Sequence, residues 1–90
     1  MKDNIPPQPA NSFRITLELF RAEKRLDNVL LLAIKQQNEN LDLREISRSA
    51  YKELFNEGKI QIKGQKARPS SAVAKGITYV DILGFKQKRS

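Results

Sequence analysis

The residues of this chain that could do chemistry are mostly cations, and they are concentrated in its second half. Residues 1–43 carry equal numbers of basic and acidic residues, whereas residues 44–68 carry seven basic residues and three acidic ones. Residues 69–90 hold four basic residues and one acidic residue, and the net charge of the whole chain is +7. This segregation is typical of a site for a polyanion, because each phosphate that a cation neutralises releases a counterion.

The composition excludes several other kinds of chemistry. The 90 residues include no Cys and no His, so a disulfide, a Cys/His zinc site, a cysteine nucleophile and a histidine-based triad are impossible. Asp27 and Asp42 are a conceivable carboxylate pair, but they fit a helix start and a helix cap better. No glycine-rich phosphate loop occurs. We therefore expect a protein that is not an enzyme, with no cofactor, no metal and no small-molecule substrate.

Size and hydropathy indicate one small domain. The longest apolar run, residues 29–34, is too short to cross a bilayer, and no signal-peptide core occurs near the N-terminus. We therefore expect a cytoplasmic protein without a membrane partner. We expect residues 1–12, with three prolines, to be a disordered tail, residues 13–85 to be a single domain and residues 86–90 to be a basic tail.

Hydrophobic periodicity predicts strands near both ends of the domain and helices between them. Alternating apolar residues over positions 13–20 predict a strand, with an early start to the following helix as the alternative. A helix over about residues 22–37 is predicted from one apolar stripe: Leu26, Val29, Leu30, Ala33 and Ile34. Residues 59–63 and 77–83 supply further strands, and a basic loop over residues 65–71 lies between them.

A second helix is predicted to end at Gly58, and two start points are open. Asp42 has the spacing of a capping box, so the helix could begin at Leu43. Ser47 is a competing N-cap, so the helix could instead begin at Arg48.

Two faces of this second helix can be separated by their four-residue spacing. The buried face is expected to hold five apolar residues: Leu43, Ile46, Ala50, Leu54 and Phe55. About 200° round the axis, a solvent-facing column of cations is expected: Arg44, Arg48 and Lys52. Three aromatic residues are assigned to the core: Tyr51, Phe55 and Tyr79. No base-stacking platform is therefore expected.

Several ordered segments share a pattern with a known family. They are Ser47-Arg48 with Leu54, Phe55 and Gly58; Ile60, Ile62 and Gly64; and Pro69, Ser70, Val73 and Gly76. Upstream, Arg25-Leu26-Asp27 with Leu30 is similar to the start of the family's first helix. Together, over residues 24–83, these segments resemble the RNA-binding domain of the ribosomal protein S-four type, also called the alpha-L motif.

The chain departs from the family pattern at several places. The stretch between the two helix motifs is longer, so an inserted loop or an extra turn is expected over residues 38–46. Tyr51 stands where the family prefers Ala, Lys63 replaces the Asn of the turn, and Ile77 replaces the Asp after Gly76. The strand over residues 13–20 has no counterpart in the minimal motif.

The resemblance implies an α+β fold in which two helices pack on a small, mainly antiparallel sheet. It places RNA where the second helix meets the strand loop, so the expected partner is structured RNA, either ribosomal RNA or tRNA, with the ribosome as a further partner. A monomer or weak dimer is expected. The RNA-binding residues expected from the resemblance and the charge are Arg44, Ser47, Arg48, Lys52, Lys59, Lys63, Lys66 and Arg68. They would contact phosphates rather than stack on bases.

Two other classes of function compete with RNA binding. A winged-helix DNA-binding protein would also combine a basic helix with a strand pair and a basic loop, the wing. An adaptor would pair the strand over residues 13–20 with another chain, and its basic surface would then be incidental.

Overall fold

The structure is a computed structural model that describes residues 5–85. Its elements, in chain order, are β1 (Ser12–Leu19), α1 (Leu26–Gln36), α2 (Leu41–Arg44), α3 (Arg48–Asn56), β2 (Ile60–Ile62), β3 (Gln65–Lys66) and β4 (Gly76–Leu83). The predicted α+β class is confirmed. The described residues form three helices rather than two, because the stretch expected to be a loop or extra turn contains α2.

The four strands form one antiparallel sheet in the order β1-β4-β2-β3. Side chains of a strand alternate between the two faces of the sheet, so β1 contributes every second residue, Phe13, Ile15 and Leu17, to the core. Phe13 lies opposite Ile82 and Ile15 lies opposite Val80 on the face that the helices cover. The predicted strand over residues 13–20 is thereby confirmed, and it is an edge strand.

The core lies between this inner face and the helices. The helices contribute seven buried side chains: Leu26, Leu30, Ile34, Leu43, Tyr51, Leu54 and Phe55. The apolar stripe predicted for α1 is confirmed, because its two remaining members, Val29 and Ala33, pack against the same cluster. The prediction that Ala50 lies on the buried face of this helix is wrong, because Ala50 is exposed. The buried side of α3 is instead formed by Tyr51, Leu54 and Phe55, so Tyr51 takes the place that was predicted for the preceding residue.

Helix α1 begins later than the predicted residue 22. The backbone of Glu23 forms a bridge with Val73, with N–H to O=C distances of 2.9 and 2.8 Å in the two directions. Residues that pair with another segment in this way have extended backbone and cannot continue a helix. The first helical residue is therefore Leu26, which is fully buried.

The chain between α1 and β2 forms two helices, and of the two predicted start points the one at Arg48 is confirmed. The Ser47 side chain accepts a hydrogen bond from the Ala50 N–H, the bond of a helix N-cap. The capping role predicted for Asp42 is wrong. Asn40 caps the short helix α2, with its side-chain oxygen accepting from the Leu43 N–H at 3.0 Å.

On the outer face of the sheet, away from the helices, a buried ion pair joins β1 and β4. The Arg14 guanidinium donates to both carboxylate oxygens of Asp81, at 2.7 and 2.9 Å, and the Asp81 side chain is 1% exposed. The same guanidinium donates to the backbone carbonyls of Pro6 and Pro7. Hydrogen bonding to Asp81 raises the pKa of Arg14 above its usual value. The pair therefore fixes residues 6 and 7 against the sheet.

Tyr79 lies on this outer face and is only partly buried, so its assignment to the core is wrong. In the β1–β4 register Tyr79 is paired with Thr16, whereas the core-facing residues of β1 are the odd-numbered ones. The Arg14 guanidinium carbon is 5.4 Å from the centre of its ring, a cation–π distance.

The β2–β3 hairpin turns through two residues, Lys63 and Gly64. Both have positive φ angles, 54° and 77°, as a type I′ hairpin turn requires. Glycine adopts this backbone freely, whereas lysine does so at a conformational cost. The predicted turn at Gly64 is confirmed, but the predicted basic loop begins two residues later, because Gln65–Lys66 is strand β3.

The tails predicted at the two ends are only partly within the described residues. Residues 1–4 and 86–90 lie outside them, so the disordered tail and the basic tail stay predictions there. Residues 5–10 contain no helix or strand, and they contact the domain through Pro6 and Pro7.

Replacing Arg14 with Met should destabilise the domain by about 3–5 kcal/mol, because the Asp81 carboxylate would stay buried without its partner. Adding Asp81→Asn to the same chain should recover part of this loss, since a neutral amide has no charge to desolvate. Chemical denaturation of the parent, the single variant and the double variant measures both effects. A single variant as stable as the parent would show that the pair contributes little.

Candidate nucleic-acid interface

A groove of about 280 Å³ runs between α1 and α3 and contains the strongest candidate site. Arg48, Lys52 and Asn56 line it from α3, whereas Asp27 and neighbouring residues line it from α1. Pro69 closes it at the loop that follows β3. Helix α3 and the loop after β3 therefore meet at one concave surface.

The N-terminus of α1 forms one end of the groove and is held by the Pro69–Val73 segment. Its N-cap position, Arg25, makes no side-chain cap hydrogen bond, so the first N–H groups of the helix need other acceptors. The Leu26 N–H donates to the Ser71 carbonyl at 2.8 Å, and the Asp27 N–H donates to the Pro69 carbonyl at 3.1 Å. This docking gives a structural reason for the spacing of the Pro-Ser-x-x-Val segment.

Tyr51 connects α3 to the same end of α1. Its hydroxyl donates to the Asp27 backbone carbonyl at 2.8 Å, and its ring packs edge-to-face on Phe55 with ring centres 5.4 Å apart. Burial raises the pKa of Tyr51 above its usual value, so the hydroxyl stays a proton donor. The residue that departs from the family's preferred Ala thus packs between the two walls of the groove.

Arg48 and Lys52 project from successive turns of α3, and both are exposed. Within residues 5–85, no acidic side chain lies within ion-pair distance of either cation. Across the groove, Arg25 donates to both carboxylate oxygens of Asp27, each at 3.1 Å. Three cations therefore line one groove, and two of them have charges that no described carboxylate balances.

The remaining basic residues of the predicted site do not line the groove. Lys63 and Lys66 line a shallow depression on the β2–β3 hairpin, and the Lys66 side chain also covers Gly58 at the end of α3. Arg68 is exposed beside Pro69. Lys59 is half-buried, and its Nζ lies 3.2 Å from Glu57 Oε1, so a local carboxylate already neutralises its charge.

Ser47 and Arg44, two residues expected to bind RNA, make hydrogen bonds within the protein. The Ser47 hydroxyl oxygen is used as the N-cap of α3. Arg44 belongs to α2, and its guanidinium donates to the side chain of Asn38, beyond the far end of α1. The predicted column of three cations is therefore wrong for Arg44, because the helix is interrupted between Arg44 and Ser47.

Sequence reasoning did not single out two exposed residues, Arg25 and Phe20. Arg25 lines the groove, and the Arg25-Leu26-Asp27 motif was the signal that could have identified it. Phe20 follows β1 and is 94% exposed, and it was not among the three aromatic residues that the sequence analysis assigned to the core. The alternation of β1 could have indicated this exposure, since residue 20 has the parity of the outward-facing residues.

Compared with models of protein families, with curated proteins and with solved structures, the chain gives no match to any of them. Within residues 5–85, no helix is long and apolar enough to span a membrane. The same residues contain no group of three or more side chains suited to hold a metal ion. The interpretation of the groove therefore depends on its own geometry and charge.

Replacing Tyr51 with Phe should lower the free energy of unfolding by about 0.5–1.5 kcal/mol, because one buried hydrogen bond between α3 and α1 is lost while the ring packing is kept. Thermal or urea unfolding measures the change. Tyr79→Phe is the matched control, since the Tyr79 hydroxyl is not part of this connection. Equal stability of the parent and the Tyr51 variant would show that the hydrogen bond from Tyr51 to the Asp27 carbonyl does not stabilise the fold.

Proposed function

We propose that this chain is a non-catalytic RNA-binding protein that holds the backbone of structured RNA, ribosomal RNA or tRNA, on the groove between α1 and α3. The observation that carries this proposal is the pair of exposed cations, Arg48 and Lys52, beside Arg25 in one concave surface. A chain with a net charge of +7 is suited to a polyanion partner.

We further propose that the domain is of the alpha-L type. The connection of α3 to the β2–β3 hairpin, and the docking of Pro69 and Ser71 on the start of α1, support this assignment. Arg48, from the Ser-Arg pair of the resemblance, lies on the groove. Strand β1 and helix α2 are additions to the minimal motif.

Phosphate contacts fit the groove better than base readout does. An Arg guanidinium can donate two parallel hydrogen bonds to phosphate oxygens, whereas a Lys ammonium acts as a point charge. The aromatic residues beside the groove, Tyr51 and Phe55, are buried by packing and present no open ring face. Within the groove itself, we therefore propose recognition of backbone and shape.

The winged-helix alternative is disfavoured by the path of the basic loop between β2 and β4, which would be the wing. Its first two residues form β3, and the segment that follows is docked on the start of α1, where the Ser71 and Pro69 carbonyls accept from the Leu26 and Asp27 N–H groups. The loop therefore does not extend beyond the strands to follow a DNA groove beside a recognition helix.

The adaptor alternative is favoured by one observation, the position of β1. This eight-residue strand lies at an edge of the sheet, and no described strand pairs with its outer side. Long free edges can add a strand from another chain. A pull-down of a peptide partner together with weak RNA binding would bring this second candidate to first place.

Affinity for structured RNA should fall steeply with salt if the cations contact phosphates. We expect the logarithm of the association constant to fall with the logarithm of salt concentration with a slope of about −3 to −5, since about three to six phosphates would be neutralised. Titrations of a labelled RNA hairpin at several salt concentrations measure the slope. A slope near zero at measurable affinity would contradict a phosphate interface.

Replacing both Arg48 and Lys52 with Ala should weaken RNA binding by about 1–3 kcal/mol, because charge-assisted hydrogen bonds and phosphate charge pairs are lost together. The melting temperature should change little, since both side chains are exposed. Binding titrations and melting curves on the same preparations measure the two effects. RNA hairpins of equal shape and different sequence should lose affinity equally.

Arg44→Ala is the matched control for that double variant. It also removes a positive charge from the helical part of the chain, but the Arg44 carbonyl accepts from Lys35 at 2.8 Å, and Lys35 lies roughly 12 Å along α1 from Asp27, by the rise of a helix. RNA affinity should therefore stay near that of the parent. Equal losses in the control and in the double variant would mean that overall charge, rather than the groove, governs binding.

A further inference from the structure

Phe20 is the most exposed large apolar side chain in the described part of the molecule. It follows the last residue of β1 and is 94% exposed. The other large apolar residues that are exposed there, among them Leu32 and Ile77, still have about 40% of their surface covered. An aromatic ring so open to water gives nothing to the core, so its presence has no explanation in folding stability.

The residues that follow Phe20 make its surroundings basic. Arg21, Lys24 and Arg25 are exposed; Glu23 lies 3.7 Å from Arg21 and Asp27 pairs with Arg25, so these five side chains together keep one excess positive charge. Arg25 comes five positions after Phe20, so the two Cα atoms are at most about 18 Å apart. Since Arg25 lines the groove between α1 and α3, the ring lies within a few nucleotides' reach of the proposed phosphate contacts.

The segment that carries Phe20 is fixed at both sides. Before it, β1 pairs with β4 as far as Leu19, which lies opposite Gly76. After it, Glu23 exchanges two backbone hydrogen bonds with Val73, and Leu26 donates to Ser71. The Phe20 backbone therefore has a defined position relative to the groove, because the connection that carries Phe20 and the start of α1 are both hydrogen-bonded to residues 69–76.

We propose that Phe20 stacks on the base of an unpaired nucleotide that adjoins the RNA helix held on the groove. The proposal rests on the proposed function, and it adds a second kind of contact to it. A base offers a flat π-face to an open aromatic ring, and the neighbouring Arg and Lys side chains would hold the flanking phosphates. The preferred ligand is thus a duplex with a single-stranded extension or bulge, rather than a blunt duplex.

A matched pair of RNAs tests this proposal. One is a blunt hairpin, and the other is the same hairpin with a short single-stranded extension. Phe20→Ala should weaken binding of the extended RNA by about 5- to 100-fold, which corresponds to the loss of one stacked base, and should leave the blunt hairpin unchanged. Phe20→Trp should retain or strengthen binding of the extended RNA. Ile77→Ala is the control, because it removes a different exposed apolar side chain.

A 2-aminopurine placed in the extension provides a readout independent of affinity. Its fluorescence should be quenched by the parent and by Phe20→Trp, and not by Phe20→Ala. If the parent binds both RNAs and Phe20→Ala keeps the same affinities and quenching, base stacking by Phe20 is excluded while the proposed function stands. If the parent binds neither RNA, the proposed function fails together with this inference.

The result that would reassign Phe20 to a protein partner is also defined. Sedimentation of the parent and of Phe20→Ala, each without RNA, shows whether the ring holds copies of the chain together through the free edge of β1. A dimer lost in the variant, with no change in RNA binding, would overturn the stacking proposal in favour of self-association.

Discussion

The free N–H groups at the start of α1 impose the constraint on which the candidate site depends. A helix leaves its first donors without partners inside the helix, and this one has no side-chain cap. The carbonyls of Pro69 and Ser71 accept from its first two residues, so the chain after β3 must return to α1 before it enters β4. That return path places Pro69 at one end of the groove and, through Val73, anchors the connection that carries Phe20. One local requirement thus brings together parts of the chain more than forty residues apart.

The sheet has a complementary effect on the charges. Its one buried carboxylate, Asp81, is neutralised by Arg14 on the face away from the helices. The last acidic residue of the sequence therefore contributes no open negative charge, and Lys59 is similarly matched by Glu57. In the described second half, two exposed carboxylates, those of Glu45 and Glu53, make no ion pair, and they are outnumbered by the unpaired cations on α3, on the hairpin and in the loop after it. The positive field thus comes from several elements that the sheet and the docked segment hold in place.

Much of the fold could be predicted from periodicity, because burial on one side imposes a period of two on β1 and of 3.6 on α1. The start of α3 could be narrowed to two caps, and Ser47 is the one that the chain uses. The separation of Arg44 from Arg48 was one of two open options, since both residues also fit one continuous helix, and the local hydrogen bonds that Asn40 and Asn38 accept from Leu43 and Arg44 go with the shorter one. Of the candidate site, Arg48 and Lys52 were identified, whereas Arg25 depended on the fold of a distant loop.

The backbone angle of Lys63 has a consequence for how this chain can vary. A lysine held at a φ of 54° in a two-residue turn costs about 1–2 kcal/mol relative to a residue that tolerates this region. Asparagine or glycine would relieve the strain, yet either would remove a cation from the tip of the hairpin. Conformational ease and charge therefore oppose each other at this position. A more stable turn would be a less basic one, so selection for thermal robustness and selection for a positive surface act on residue 63 in opposite directions.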